Sequence, residues 1–219
     1  TEDLLAELSN SWQGSYEYRV LTSRAVFSPS VGIFHNEVFN LIDLSLLNPE
    51  TQLYQYVNLG RVLTTGVTFS ARRSGEHLSA NLQATIFERK TWLSAEATEA
   101  VSNRSTQGNL SIDYNFDKGT RLTTQLNYTH NEVITQMDAF GELVQAKLSP
   151  FSNASVYLTQ KLYRNKLVGT AGVDNLFDTT SRTITGEVVT SGGAHSQASG
   201  SQPVAMGRNF RIILQWNIQ

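Results

Sequence analysis

The sequence predicts an all-β chain whose antiparallel strands run up and down through a membrane as part of a transmembrane β-barrel. Three observations predict it. Apolar residues recur with a period of two along most of the chain. Short and long connections alternate strictly between the strands. The polar row opposite the apolar one is built of Asn, Gln, Ser and Thr, where a soluble exterior would favour Lys and Glu.

Composition sets the frame. The 219 residues carry a formal net charge of -2, and charged residues make up 16%, below the roughly 25% of ordinary soluble domains. That near-neutral balance gives no basic grip for nucleic acid. With no cysteine, there is no disulfide framework, thiolate zinc site or thiol nucleophile. No stretch nears the roughly 20 apolar residues of a membrane helix, a test that alternating membrane strands escape. Thr1 opens no charged-then-apolar signal sequence.

In chain order, "SWQGSYEYRV" sets Trp12, Gly14, Tyr16, Tyr18 and Val20 against Gln13, Ser15, Glu17 and Arg19. "SPSVGIFHNEVFNLI" is apolar on both faces, and Pro29 belongs near its start or on an unpaired edge. "VNLGRVLTTGVTFSA" aligns Val57, Leu59, Leu63, Val67, Phe69 and Ala71 but puts Arg61 among them, which a bulge, a rim position or another register would explain. "LSANLQATI" alternates Leu78, Ala80, Leu82, Ala84 and Ile86 with Ser79, Asn81, Gln83 and Thr85. "NLSIDYNF" and "RLTTQLNYTH" repeat the scheme through Leu110, Ile112, Tyr114 and Phe116, then Leu122, Leu126 and Tyr128. "NASVYLTQKLY" and "FRIILQWNI" close the series, the latter with Phe210, Ile212, Leu214, Trp216 and Ile218 on one face.

Tight turns rich in Gly, Asn and Asp are expected at 21–25, 73–76, 117–119 and 164–166. Long polar loops are expected at 43–54, 88–107, 131–150 and 179–207. Segment 89–100 reads as a short helix or as strand continued beyond the membrane, with Trp92 either touching substrate or anchoring the interface. Aromatic residues near strand ends, Trp12, Tyr18, Tyr128, Tyr163 and Trp216, fit interfacial girdles. The count is about nine strands, an odd and open set that bacterial single-chain barrels do not use.

"VDNLFD" at 173–178 resembles the penultimate-strand ending of TonB-dependent outer-membrane receptors. "SYEYR", "VGIFHNEVFNLI", "YQYVNLGRVLTTGVTFSA" with Asn58, Gly60, Gly66 and Val67, and the final "GRNFRIILQWNI" resemble other strands of that family in the same order. The similarity covers nearly all of residues 11–219, and its departure is the end, Trp216-Asn217-Ile218-Gln219, where the family closes on an aromatic residue. The resemblance implies a barrel of about 22 strands around an N-terminal plug. This chain would supply about the last nine strands. Residues 1–219 would then form the C-terminal part of one barrel domain, with plug and earlier strands absent and Thr1 in an external loop. The implied function is energised import of a scarce, bulky nutrient such as a metal chelate, cobalamin or a glycan. The implied partners are the rest of the barrel and its plug, a TonB-type coupling complex engaged through the missing N-terminal part, a surface lipoprotein, and outer-membrane lipid. Loops would face the exterior and the C-terminus the periplasm.

No residue is assigned to catalysis, to a cofactor or to a metal, and no enzyme is expected. Asp174 and Asp178 invite a paired-carboxylate reading, but Asp and Asn in a turn normally cap free backbone groups. His35, His77, His130 and His195 lack ligand spacing. "GGAHSQASGS" at 192–201 has loop composition rather than that of a phosphate cradle. The competing functions are a passive porin, an outer-membrane protease or phospholipase barrel, for which no Ser, His and acid are arranged, and a soluble ligand-binding barrel.

Overall fold

The computed structural model describes residues 4–48, 53–116, 119–137, 143–163, 166–185, 187–189, 195–197 and 201–216. They form β1 (Leu8–Glu17), β2 (Val20–Leu21), β3 (Ala25–Asn48), β4 (Leu53–Gly75), β5 (Leu78–Trp92), β6 (Val101–Phe116), β7 (Thr120–His130), β8 (Val133–Met137), β9 (Leu143–Leu148), β10 (Phe151–Leu162), β11 (Leu167–Asp174), β12 (Ser181–Thr185), β13 (Glu187–Val189), β14 (His195–Gln197), β15 (Ser201–Pro203) and β16 (Asn209–Trp216). Fourteen of these strands share one sheet, and β13 and β14 form a separate ribbon.

Two parts make up the sheet. An antiparallel meander runs β1, β3, β4, β5, β6, β7, β10, β11, β16, with β2 continuing β1 along β3. The second part grows from the far end of β3, where Leu46 bridges Gln136 of β8 in parallel, and continues through β9 and β12 to β15. The described residues thus make sixteen strands rather than the nine that alternation counts, because the long connections pair among themselves and with the end of β3. Segment 43–54, expected as a loop, is mostly strand, with β3 and β4 paired out to Asn48 and Leu53. The 24 residues of β3 span about 80 Å, whereas a membrane strand needs only about 9–11 residues. In 89–100 the strand continues to Trp92 and no helix forms.

Register fixes the two faces. One row runs Pro29, Ala71, Leu82, Leu110, Leu126 and Ala154 across six strands. The adjacent row, on the opposite face, runs Ser28, Arg72, Asn81, Ser111, Gln125 and Ser155. The apolar row does not build a core. On β16 its side chains are 57% to 81% exposed, and Trp12, Tyr16, Phe69, Ile86 and Leu158 are exposed as well. The buried apolar cluster among the described residues, Leu46, Ala146, Leu148 and Ile184, lies among the loop strands. A soluble barrel would bury its apolar row, so the exposed row is the one that meets lipid. Aromatic side chains cluster at its two ends: Tyr163 stacks on Trp216 and Tyr114 meets Phe116 edge-on at the turn end, while Trp12 stacks on His35 toward the loop end.

Departures from regular pairing have local causes. Proline has no N–H to donate, and Pro29 sits where β1 gives way to β2, its carbonyl accepting Tyr18 N–H at 3.0 Å. Asn40, at φ 53°, stands opposite Gly60 where the β3–β4 ladder skips one pair, between Phe39–Arg61 and Leu41–Leu59. Beyond that point the pleat reverses. Even-numbered Leu44, Tyr54 and Tyr56 are exposed, while Asp43 reaches Arg89 on the polar face. Arg61 lies just short of the reversal, on the apolar face but beyond its apolar stretch, in an ion pair with Glu37 and over the rings of Trp92 and Phe39 at 4.7 and 5.7 Å. It is a rim residue.

Candidate functional site

Two polar regions stand out, one on the amide and hydroxyl face of the meander and one where the loop strands cross it. On the meander face, hydroxyls pair across strands, Ser30 with Ser70 at 2.5 Å, Thr68 with Thr85 at 3.1 Å and Thr159 with Thr170 at 3.0 Å. Such ladders suit an interior in contact with water or a polar partner. Toward the turn end, an open cavity of about 390 Å³ is lined by Arg72, Arg73, Ser74, Ser79, Ala80, Asn81, Ser111 and Asp113. Asp113 accepts the Thr123 hydroxyl at 2.6 Å, and Arg73 donates to the Leu78 carbonyl at 2.6 Å.

Glycines let bulky neighbours lie flat on this face. A Cβ at Gly66 would come within 2.6 Å of both Phe34 and Phe87. At Gly172 it would strike the ring of Tyr157, and at Gly60 the backbone of Ser94, where the β5–β6 connection crosses β4. Asn58 completes the corner: its amide donates to the carbonyls of Asn40 (2.8 Å) and Leu5 (3.1 Å), and its oxygen accepts Leu5 N–H (2.8 Å). Asn58, Gly60 and Gly66 therefore serve packing in this chain.

At the loop end, Asn131 takes φ 54° and its carbonyl receives Asn103 Nδ2 at 2.5 Å and Ser105 Oγ at 2.6 Å. From there β8 and β9 reach β3, four strands away from β7. The crossing brings Thr135 to Asp43, hydroxyl to carboxylate at 2.8 Å, with Arg89 at 3.9 Å on the same carboxylate. Ser45, Thr91 and both amide atoms of Gln145 are buried beside them without a partner among the described residues. Arg182 is buried, paired with Glu132, and donates to the Ser149 carbonyl at 2.7 Å. Sequence reasoning missed both groupings, since Asp43 and Thr135 lie 92 positions apart and only the folded-back hairpin joins them.

The residues singled out by sequence have definite places. Asp174 accepts the Tyr157 hydroxyl and pairs with Arg211 at 3.3 Å, whereas Asp178 accepts Arg208 N–H at 2.6 Å. The two carboxylates serve different partners. Between them, buried Asn175 at φ 51° donates to the carbonyls of Thr179 and Met206, both at 2.9 Å, and accepts Thr179 N–H at 3.1 Å. "VDNLFD" is thus a clasp joining the loop ends of β11 and β16. His35 bonds Thr65 Oγ1 at 3.0 Å, His77 the Asn115 carbonyl at 3.2 Å, and His130 stacks on Tyr128. The side chain of His195 and most of segment 192–201 lie outside the described residues. Among the described residues no three of His, Cys, Asp and Glu gather as for a metal. Trp92, against Arg61, is on the rim rather than on the polar face.

The family model of the outer membrane protein beta-barrel family matches residues 2–206. No curated protein matches the sequence. Among solved structures the chain is similar to the FrpB iron transporter from Neisseria meningitidis (F3-3 variant), with a TM-score of 0.59 and 17% identity. The match covers 98% of this chain and 32% of that one, so this chain spans about a third of the transporter's length. At that identity the likeness is one of fold. The strand path, the exposed apolar row and the match over residues 2–206 together place the chain in the bacterial outer membrane, and it belongs to the outer membrane protein beta-barrel family.

Proposed function

We propose that the chain is the C-terminal barrel portion of a TonB-dependent transporter that imports a scarce, bulky nutrient. The observation that carries this reading is the pair of sheet edges, β1 and β16, that have no second strand beside them among the described residues, in a fold that matches about a third of an iron transporter. On this reading nine strands of the meander cross the membrane and further strands complete a barrel of about 22. The polar face, with its hydroxyl ladders and the cavity at Arg72 and Asp113, receives a plug. The short turns face the periplasm and the β8–β9 crossing faces the exterior, where Asp43, Arg89 and Thr135 stand at the mouth. A TonB-type complex engages the plug side, a surface lipoprotein is a partner on the outside, and the protein performs no covalent chemistry.

On this reading the folded-back β8–β9 pair, joined to the loop end of β3, narrows the mouth, which favours active over passive passage. The solved relative is an iron transporter, so an iron chelate is the first cargo to test. Uptake of radiolabelled chelate into cells should require both the protein and the proton gradient and stop with an uncoupler. Steady leakage of small sugars from liposomes holding the purified protein would instead identify a passive channel. Finding no plug segment in the polypeptide recovered from the native membrane would defeat the transporter reading.

A further inference from the structure

The polar face satisfies itself along the middle of the strands but not at the turn end. Ser30 bonds Ser70 and Thr68 bonds Thr85 from strand to strand. Nearer the turns, one row of β4, β5 and β6 runs Arg72, Asn81 and Ser111, and the next runs Ser74, Ser79 and Asp113; these six line the open cavity. Ser74 stands opposite Ser79 in register, yet neither they nor Arg72, Asn81 and Ser111 make a side-chain hydrogen bond among the described residues. The charge is unmatched too. Arg72 is exposed, its register partners are the uncharged Ser28 and Asn81, and it has no ion pair among the described residues. Asp113, two strands and one row away, lies about 12 Å from it between Cα atoms and accepts the Thr123 hydroxyl at 2.6 Å. Glu17, two strands away on the other side, is held by Arg19 at 3.0 Å.

We propose that the Arg72 cavity is the seat of an acidic side chain, an Asp or Glu carried by the plug segment that covers this face. The inference rests on the transporter reading, which lays a plug against the polar rows. An open guanidinium is solvated by water. Once protein lies over it that water is lost, and a covered charge without a partner is strongly destabilising. The neighbouring acids of the wall are engaged with Thr123 and Arg19, so the match has to come from the covering chain. A carboxylate fits the planar fork of Arg72 through two parallel hydrogen bonds. The Asn81 amide and the Ser74 and Ser79 hydroxyls stand alongside as further donors, and Asp113 keeps lone pairs for a backbone N–H of the same segment. With one free cation and several neutral donors, the cavity selects an acidic residue and repels a basic one.

The test uses the full polypeptide extracted from the native membrane in mild detergent. In the R72K variant a carbodiimide, which condenses an amine with an adjacent carboxylate to an amide and takes up the water, should join position 72 to one Asp or Glu of the plug, identified by mass spectrometry of the digest. Q125K, in the same row but beyond the cavity, should not be joined to that acid. R72Q should speed protease cutting of the plug about 100-fold, because it leaves a covered carboxylate unpaired. R72K, which keeps the charge, should speed it less than about 10-fold. Reversing both signs, R72E together with arginine in place of the identified acid, should restore protection. Unheated-gel mobility confirms that each barrel is assembled. A link from position 72 to Asp113 or Glu17 alone, no link at all, or unchanged cutting in R72Q overturns the site. A benzophenone at Gln83, on the same face two residues beyond Asn81, separates the two levels. Coupling to the plug there without a link at position 72 sinks the carboxylate site alone, whereas no coupling to a plug at either position sinks the transporter reading with it.

Discussion

Replacing Leu82 by lysine tests the assignment of faces most directly. Leu82 is half exposed and sits between Ala71 and Leu110 in the apolar row. The apolar stretch of β5 runs from Leu78 to Ile86, so Leu82 lies four residues from either end. Four residues are about 13 Å of strand, or about 10 Å of depth at a tilt near 40°. A lysine there is at the middle of the hydrocarbon, where the cost is about 2–4 kcal/mol. Ile86→Lys, at the border, should cost about 1 kcal/mol or less because the ammonium reaches the headgroups. Gln83→Lys, next in sequence but on the opposite face, should cost under about 0.5 kcal/mol. The assay is reversible denaturant unfolding of the intact protein in lipid bilayers, followed by tryptophan fluorescence. Equal costs at 82 and 83, or a larger cost at 83, would show the polar face to be the one in lipid and would undo the membrane reading of the sheet.

Spin labels at Leu82, Ile112 and Leu214 should relax with oxygen dissolved in the bilayer, and labels at Gln83 and Ser111 with aqueous reagents; the reverse pattern, read by power-saturation spectroscopy, contradicts the row assignment. Gly66→Ala puts a methyl 2.6 Å from Phe34 and Phe87 and 2.8 Å from the Ile86 carbonyl, an overpacking of about 1–3 kcal/mol. Phe34→Leu should restore assembly, measured as the unheated-gel band, only in part because the carbonyl stays. Asn175→Ala strips partners from Thr179 N–H and from the Thr179 and Met206 carbonyls at about 1–3 kcal/mol. Limited proteolysis between 179 and 207 should then accelerate; unchanged cutting would mean that the clasp does not hold the β11–β16 connection. Cysteines at Ser11 and Gln215, on the two edge strands, should fail to cross-link in the membrane-assembled protein, and a quantitative disulfide there would mean that this sheet closes on itself.

The meander was legible because it rests on one local signal. Alternation placed Leu82 and Asn81 on opposite faces, and Gly119, at φ 80°, ended β6 and opened β7 where the Asp-Lys-Gly turn was expected. The reversal at Asn40 and Gly60 was not legible: Val57 and Leu59 keep the odd-numbered apolar phase of Leu63 in the sequence, but the left-handed residue Asn40 turns them to the other face. The loop layer was hidden for another reason. Segments 131–150 and 179–207 read as loops because the apolar residues that pack there, Ile134, Ala146, Leu148 and Ile184, meet one another and Leu46 only after the chain folds back. Contacts between such distant positions carry no periodicity. The cavity at Arg72 and Asp113 falls between these cases, its residues already assigned to the polar row but its concavity set by strand geometry.

The edges decide what else the sheet requires. Among the described residues β1 and β16 each pair with a strand on one side only, and the residues of both are exposed throughout. In hydrocarbon each unpaired N–H or carbonyl costs several kcal/mol, so two such edges would cost more than the roughly 5–15 kcal/mol by which a folded domain is stable. Helices and loops do not seal a strand edge in lipid; another strand does. Could the edges seal each other? Every neighbouring pair from β1 through β3 to β16 is antiparallel, and a meander of nine strands therefore points its first and last strands the same way. Closing it would need a parallel seam at a single place in an otherwise antiparallel wall, whereas bacterial single-chain barrels keep an even count. On the proposed transporter reading, an even barrel of about 22 would take about thirteen strands beside these nine, beginning and ending antiparallel to β1 and β16. Such a wall is too wide for side chains alone to fill, and the polar rows facing its lumen call for a water-filled pore or a folded plug.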